Sequence, residues 1–246
     1  LAAKRGHLRA VRSDKVFLEM QCNQACVYCN SRWSRPEPAW STPHAVAKRI
    51  QAAVDRGGEE LVFTGGEPTL RDDLPRLIQL GKRLGAKRVV LETNGTLINR
   101  RRARTLAAAG LDVARVNLSA PESVLETVTR DPGGFARTVR GIRALKDAGI
   151  RVQVSAALVT KTREHLAELP SLLCDLLDGA SNFDGIWLNV PYEGPDEDEL
   201  LAPSEMLKPI GQIDRKARGL GVTLRLNPEG PIRPCMFESV GRIAHL

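Results

Sequence analysis

The sequence is poor in aromatic residues, and it has neither a long apolar run nor enough cysteines for a disulfide-stabilised fold. Aromatic residues make up only 4% of the 246 residues, and they are not interleaved with basic residues as base-stacking platforms would require. No apolar run approaches the roughly 18 residues of a transmembrane helix. The basic segment 1–12 is not followed by the apolar core of a secretory signal, and the cysteine count of five is odd. These absences predict a cytoplasmic protein with reduced cysteines and no membrane span.

The charge balance points to an acidic or anionic partner. The formal net charge is +7, whereas the hydrophobic content of 42% and the charged content of 26% are those of a globular domain. A basic surface attracts acidic electron-transfer proteins, anionic substrates or nucleic acid. The arginines are scattered except for Arg100, Arg101, Arg102 and Arg104, which we interpret as part of a solvated surface. Nucleic acid is therefore the disfavoured partner.

Three of the five cysteines, Cys22, Cys26 and Cys29, follow the spacing C-x3-C-x2-C. Three cysteines this close in the sequence predict a loop whose thiols all bind the same metal ion or cluster. Thiolates select zinc, copper(I) or an iron–sulfur cluster. Three sulfurs are one fewer than the four that usually hold a cluster, so one metal would keep an open position for chemistry. A structural zinc site with His44 as fourth ligand, or a metal-binding regulatory module, is the alternative.

The cysteine triad, placed directly after a short apolar run, resembles the cluster motif of the radical S-adenosylmethionine (SAM) superfamily. The resemblance implies that Cys22, Cys26 and Cys29 hold one [4Fe–4S] cluster, whose remaining iron is chelated by the amino and carboxylate groups of SAM. It is closest to the branch that includes the molybdenum-cofactor cyclase type and the peptide- and sugar-modifying maturases. No cysteine-rich domain for a further cluster is evident.

Gly65-Gly66-Glu67-Pro68 follows the next predicted strand and strengthens the resemblance. Taken alone, the motif predicts a tight turn before a helix, with two glycines where the backbone passes close to a ligand. In the family, the corresponding backbone and glutamate meet the ammonium of the methionine part of SAM. The resemblance therefore assigns Gly65, Gly66 and Glu67 to SAM binding.

Further SAM contacts are implied at the ends of other strands. They comprise Tyr28 beside the adenine, Thr93 and Asn94 near the carboxylate, Ser119 as a ribose or carboxylate contact, Leu158 and Val159 packed on the adenine, and Asn189 facing cofactor or substrate. For Ser119 and Asn94, ordinary turn chemistry is an equal alternative.

Alternating and helical hydrophobic periods predict six β/α units and hence an α/β fold with a parallel curled sheet, a partial (β/α)6 TIM-like barrel. The predicted strands span 15–21, 60–64, 87–92, 112–118, 151–159 and 185–190, with a further short strand at 222–226. The predicted helices span 43–55, 72–84, 99–109, 135–148, 163–177 and 206–217. Residues 1–14 are predicted to form a basic N-terminal segment, 15–220 the barrel, and 221–246 a short extension packed on it. All polar clusters follow strand ends, which is the catalytic rim of such barrels.

The remaining cysteines are expected to play different roles. Cys174 lies among leucines and is interpreted as a packed core thiol. Cys235, in Pro234-Cys235-Met236-Phe237, is a candidate hydrogen-atom donor, because some radical SAM epimerases return a hydrogen atom from one cysteine. A structural thiol is the alternative.

The resemblance implies reductive cleavage of SAM to a 5′-deoxyadenosyl radical that abstracts a hydrogen atom from the substrate. We expect epimerisation or rearrangement of a small polar metabolite, such as a sugar or natural-product intermediate. Peptide modification and RNA modification are the alternatives. The electron donor is expected to be a flavodoxin- or ferredoxin-type protein that docks on a basic face.

Overall fold

The computed structural model describes residues 13–29, 38–191 and 194–226. The predicted N-terminal segment up to residue 12, Cys235 and the rest of 227–246 lie outside the described residues, so the predicted domain bounds stay a prediction.

Seven parallel strands form one sheet in the order of the chain, with β1 and β7 as its edges in the described part. The strands are β1 Ser13–Glu19, β2 Glu60–Gly65, β3 Arg88–Thr93, β4 Val113–Asn117, β5 Arg151–Ala157, β6 Ile186–Asn189 and β7 Leu224–Leu226. The helices are α1 Pro43–Asp55, α2 Leu74–Arg83, α3 Arg100–Ala108, α4 Glu122–Thr129, α5 Gly134–Asp147, α6 Leu169–Leu176 and α7 Pro203–Gly219. The predicted partial barrel is confirmed, and the short strand at its end joins the sheet beside β6.

The main core lies between one face of the sheet and the helices. Alternate strand residues such as Phe63, Leu91 and Val154 are fully buried there, together with Ile78 and Ile142 from the helices. The opposite face carries a small apolar cluster of Val62, Val90 and Val113, which are neighbours across β2, β3 and β4. We call this face, which is not covered by helices, the inner face of the sheet. Toward the carboxyl ends of the strands it becomes polar, so this part of it lines a candidate ligand site and not a hydrophobic core.

Local sequence signals explain most element boundaries. Thr42 caps α1 by accepting a hydrogen bond from the Ala45 N–H at 3.3 Å, and Asn99 caps α3 by accepting one from the Arg102 N–H at 2.9 Å.

Two predicted segments differ from the structure. The helix predicted over 163–177 begins only at Leu169, because Pro170 occupies its first turn and a proline ring is incompatible with a helical turn before it. The segment after Pro121, predicted as a loop, forms α4, whose buried Leu125 and Val128 are a helical signal that the sequence contains.

Every helix within the described ranges is too short or too polar to cross a membrane.

Candidate active site

The polar ends of the strands surround one cavity of about 300 Å³ at the carboxyl rim of the sheet. Its lining includes most of the predicted site residues: Cys22, Cys26, Tyr28, Cys29, Gly65, Gly66, Glu67, Thr93, Asn94 and Asn189. It also includes residues that the sequence did not single out: Lys15, Gln24, Thr64, Glu92, Arg115, Asn117 and Ser155. Parallel strands bring their carboxyl ends to one edge, which explains why such distant residues meet.

The cysteine loop is held in place by backbone hydrogen bonds to the end of α4. The Ala25 N–H donates to the Thr129 carbonyl at 3.0 Å, and the Val27 N–H donates to the Val128 carbonyl at 2.9 Å. The Val27 side chain packs on Val128 and Val159. An irregular loop thereby gains a fixed geometry for its thiols.

The three thiols occupy a partly desolvated environment. Burial raises the pKa of Cys22 to about 11, and burial raises the pKa of Cys26 to about 12, with the neighbouring thiols adding to both shifts. The Gln24 N–H and the Asn94 Nδ2 approach the Cys22 sulfur at 3.4 and 3.9 Å. Burial therefore favours protonated thiols at Cys22 and Cys26 in the metal-free protein, and a bound metal ion or cluster would displace these protons.

The described residues do not form a compact site for a single metal ion. Among the described residues, no group of three or more His, Cys, Asp and Glu side chains is gathered in a way that could hold a single metal ion. The three cysteines instead line a shared cavity. His44, the alternative zinc ligand, is exposed on α1 and is not part of the lining.

Gly65 and Gly66 let two backbone segments pass in close contact. A Cβ on Gly65 would lie 2.1 Å from the Glu19 carbonyl oxygen, and one on Gly66 would lie 2.1 Å from the Gln21 carbonyl oxygen. The Gly66 N–H donates to Glu19 O at 2.6 Å, and the Glu67 N–H donates to Gln21 O at 2.8 Å. The glycines thus fasten the end of β2 to the chain that leads into the cysteine loop, in addition to lining the cavity.

Glu67 is only 1% exposed, and its carboxylate accepts four hydrogen bonds. Oε1 accepts from the Thr69 N–H at 2.9 Å, from the Thr69 hydroxyl at 2.5 Å and from the Thr93 hydroxyl at 2.7 Å. Oε2 accepts from the Asn94 N–H at 2.7 Å. The carboxylate therefore joins the loops after β2 and β3, which makes Glu67 a positioning residue in this structure.

Asn94 continues this network to the cysteine loop. Its Nδ2 donates to Asn23 Oδ1 at 2.8 Å, while its Oδ1 accepts from the Thr96 N–H and hydroxyl. Asn23 in turn donates to the Thr96 hydroxyl at 2.8 Å. The rim of β3 and the cysteine loop are consequently one hydrogen-bonded unit.

Tyr28 closes the other side of the cavity. Its hydroxyl accepts a hydrogen bond from Asn117 Nδ2 at 2.8 Å, and burial raises its pKa well above the ordinary value. Ser119 lies behind this pair, where it donates to Asn117 Oδ1 at 2.9 Å and accepts from the Ala157 N–H.

Three predicted SAM contacts are not part of the lining. Ser119, Leu158 and Val159 are buried behind the cavity wall, Leu158 in the main core and Val159 against Val27. Their assignment to SAM stays a prediction. Cys174 is only partly buried and packs at the margin of the core, so the expected core thiol is less enclosed than predicted.

Sequence reasoning missed two arginines that support the rim. Arg71 donates to the carbonyl oxygens of Leu18 and Ser41 at 3.2 and 2.6 Å. Arg102, from the arginine cluster interpreted as solvated, donates to the carbonyl oxygens of Thr69 and Arg71. No local pattern identifies these partners, because they lie about 30 or more residues away in the sequence.

Residues 20–173 match the family described as the radical SAM superfamily. The chain belongs to this superfamily. Among curated proteins, this radical SAM chain is 35% identical over 170 residues to the probable GTP 3′,8-cyclase of Methanopyrus kandleri, covering 68% of the chain and 54% of that relative. It is 33% identical over 164 residues to the AdoMet-dependent heme synthase of Oleidesulfovibrio alaskensis, covering 65% of the chain and 41% of the relative. The radical SAM chain thus spans about half the length of these relatives, and the predicted likeness to the cyclase branch is confirmed.

Solved structures share the fold at low sequence identity. The chain is similar to Streptococcus suis SuiB bound to S-adenosylmethionine, with a TM-score of 0.65 and 18% identity over 92% of this chain and 48% of SuiB. It is also similar to native anSMEcpe with bound AdoMet, with a TM-score of 0.65 and 16% identity over 87% of this chain and 64% of that protein. The superfamily uses a [4Fe–4S] cluster and SAM, and the three thiols lining one cavity of the radical SAM chain fit the predicted cluster.

Proposed function

We propose that this radical SAM chain is the catalytic domain of an enzyme that cleaves SAM reductively and abstracts a hydrogen atom from a small polar metabolite. The observation that carries the proposal is the convergence of Cys22, Cys26 and Cys29 on one cavity at the carboxyl rim of the sheet. The proposed outcome is epimerisation or rearrangement of a sugar or natural-product intermediate.

In this proposal, Cys22, Cys26 and Cys29 hold the cluster, and the backbone of Gly65, Gly66 and the neighbouring rim residues holds SAM. When bound, the two cofactors supply a 5′-deoxyadenosyl radical that removes a hydrogen atom from the substrate. Glu67 fixes the loops after β2 and β3 through its four hydrogen bonds. Tyr28, held by Asn117, closes the wall and excludes water from the reacting atoms.

The inner face of the sheet supports a small polar substrate. Thr64, Asn117, Ser155 and Asn189 line the cavity and offer hydroxyl and amide groups. Such neutral groups orient hydroxyls by hydrogen bonds.

Peptide modification is the second candidate function. The solved structures that share the fold include SuiB bound to the precursor peptide SuiA. At 17% identity this likeness extends to the fold alone, so the peptide alternative is tested by substrate screening rather than argued from the site.

The electron donor in this proposal is a small acidic flavodoxin- or ferredoxin-type protein, for which a chain of net charge +7 offers electrostatic attraction. The reduced thiols that the cluster requires are consistent with a cytoplasmic location.

The first test combines metal analysis with a SAM-cleavage assay. After anaerobic reconstitution, we expect about four irons per chain and slow release of 5′-deoxyadenosine with dithionite and SAM. Cys26→Ala should lose both the brown colour and the SAM cleavage, because one cluster ligand is removed. Cys174→Ala, a cysteine outside the cavity, is the matched control and should retain both. Bound zinc without SAM cleavage would refute the proposal.

Cys235 stays a proposed hydrogen-atom donor to the substrate radical. Cys235→Ala should still release 5′-deoxyadenosine but should lose the epimerised product, since the radical is no longer quenched by the thiol. Product analysis by chiral chromatography or by solvent deuterium incorporation measures this outcome. An unchanged yield of epimerised product would assign Cys235 to another role.

A further inference from the structure

The floor of the cavity is formed by a buried guanidinium. Arg115 lies on the inner face of β4, and its side chain is 8% exposed. Its Nη1 donates to Glu92 at 2.8 Å and its Nε donates to Gln153 at 3.1 Å, both from the neighbouring strands. Its Nη2 has no hydrogen-bond partner among the residues that the structure describes. In the described part, Nη2 is not among the fully buried polar atoms that lack a partner, so it is accessible from the cavity and can donate to an acceptor of a ligand.

Trp187 fixes the plane of this guanidinium. The Arg115 Cζ lies 4.0 Å from the centroid of the Trp187 ring, which is the distance of a stacked cation–π contact. Arg225 from β7 approaches the same ring at 6.0 Å. With Nη1, Nε and the ring all in use, Arg115 is preorganised, and little side-chain entropy remains to be lost when a ligand binds.

Around Arg115, the inner face of the sheet carries more positive than negative charge. Arg115 is paired with Glu92, and Arg151 is paired with Asp184 at 2.5 Å. Arg225 donates to the backbone carbonyl of Asp184 at 2.8 Å, and in the described part no carboxylate forms an ion pair with it. Desolvation by burial lowers the pKa of Arg225, attraction by Asp184 opposes this shift, and repulsion by Arg115 adds to it. Arg225 is half-buried and is attracted by Asp184 without a direct ion pair, so the positive charge on this part of the inner face is only partly compensated.

Neutral hydrogen-bonding groups stand beside the guanidinium. Asn117 is two residues further along the same face of β4, and Ser155 is its register partner on β5. Asn189 donates to the Ser155 hydroxyl at 2.5 Å, at the next level of the cavity wall. The cavity wall can therefore form hydrogen bonds with hydroxyl groups of a ligand. These wall residues lie directly above Arg115, which can bind an anionic oxygen of the same ligand.

We infer that Arg115 is a specificity-determining residue that binds an anionic oxygen of the substrate, so that the substrate is a hydroxylated carboxylate or phosphate ester. This inference rests on the proposed function and narrows its substrate class from polar metabolites to acidic ones. The guanidinium donates hydrogen bonds to the anionic group at the floor of the cavity, and Asn117, Ser155 and Asn189 bind the hydroxylated part above it. The carbon to be attacked then lies toward the cysteine rim.

The test compares four probes with one sugar skeleton: glucose, glucuronate, glucose 6-phosphate and glucosamine. Binding to the reconstituted holoenzyme is measured by calorimetry in the presence of SAM and without reductant. We expect at least one anionic probe to bind about tenfold or more tightly than glucose, and glucosamine to bind no better than glucose. The preferred anion identifies the substrate as a carboxylate or a phosphate ester. Equal affinities for all four probes, or a preference for glucosamine, would overturn the inference.

Variants locate the effect at Arg115. Arg115→Gln should abolish the preference for the anion, with a smaller effect on SAM affinity, and Arg115→Lys should restore it only in part because the forked geometry is lost. Arg88→Gln is the matched control. Arg88 lies at the amino end of β3, away from the cavity, where it pairs with Glu60 of β2. A loss of SAM affinity with the anion preference intact would assign Arg115 to the cofactor and contradict the inference.

Glu92→Gln tests the inference independently if Arg115→Gln does not fold. It retains the guanidinium and removes the competing carboxylate, so the affinity for the anionic probe should rise and that for glucose should not. An unchanged affinity for the anion would count against the inference. If the wild-type protein cleaves SAM but shows no preference for an anion, this inference fails while the proposed function stands.

Discussion

At the residue scale, Glu67 has a role that its motif does not reveal. The resemblance places this glutamate beside SAM, and it does line the cavity, yet its two oxygens accept four hydrogen bonds from Thr69, Thr93 and Asn94. A carboxylate can satisfy four donors because both of its oxygens are acceptors. Glu67 therefore shapes the rim, and its assignment to SAM stays a prediction.

Glu67→Gln is predicted to destabilise the apoprotein and to weaken SAM binding. The amide replaces one acceptor oxygen by an NH2 group that faces buried donors, and a buried donor without an acceptor costs about 1–3 kcal/mol. Urea unfolding measures the change in the free energy of unfolding, and equilibrium dialysis measures the SAM affinity. Glu164→Gln, at a side chain that is 78% exposed, is the control and should stay within about 0.5 kcal/mol of the wild type. Wild-type stability of the Glu67→Gln variant would show that the network contributes nothing.

Arg71 and Arg102 support the same rim from outside. Their guanidinium groups donate to carbonyl oxygens that no helix or strand satisfies, including those of Ser41 and Thr69. Because unsatisfied buried carbonyls are unfavourable, these arginines stabilise irregular loops that carry the site.

At the scale of elements, the site depends on loops that pair with one another by backbone hydrogen bonds. The cysteine loop pairs with the end of α4, a helix absent from the sequence-based prediction, and the Gly-Gly segment pairs with the end of β1. The three thiols are therefore positioned by two different elements.

Gly66→Ala is predicted to misplace the cysteine loop. The added Cβ would lie 2.1 Å from the Gln21 carbonyl oxygen, so one of the two backbone segments must move. Overpacking of this kind costs about 1–3 kcal/mol, and we expect a lower iron content after reconstitution as well as lower stability. Thermal unfolding and iron analysis measure both effects.

Gly219→Ala is the control for this substitution. Gly219 ends α7, and a Cβ there meets nothing within 4 Å. Alanine also has the better helix propensity, so stability should be unchanged or slightly raised. Normal iron content and stability of Gly66→Ala would contradict the close contact that the structure shows.

At the scale of the whole molecule, the open sheet of seven strands separates two environments. One face is covered by helices and is apolar, whereas the upper part of the other face carries Lys15, Glu92, Arg115 and the neutral polar residues of the cavity. A closed eight-stranded barrel fills its interior with side chains, but a partial barrel leaves room for ligands between its two edges. The fold thus provides the volume, and the inner-face residues set the chemistry.

Ion pairs place many of the positive side chains next to a negative one, but they leave the net charge of +7 unchanged. Several of the arginines and lysines in the described part are paired with carboxylates, such as Arg56 with Asp14 and Arg137 with Asp131. Exposed pairs of this kind contribute little stability and reduce the long-range field. RNA modification stays the least favoured alternative because the few aromatic residues are not interleaved with basic ones, whereas the inward-facing arginines bear on the proposed substrate.

The amino-acid sequence alone predicts the strands and the resemblance to the radical SAM superfamily, and that resemblance implies the [4Fe–4S] cluster. The spacing of Cys22, Cys26 and Cys29 restricts the ligand, and the hydrophobic periods identify every strand because they depend only on residues a few positions apart. The side chains that support the cavity can be identified only from the three-dimensional packing. Glu67 meets Asn94 across 27 positions, and Arg115 meets Gln153 across 38. Such contacts depend on strand order and register, which bring together residues that no local pattern relates.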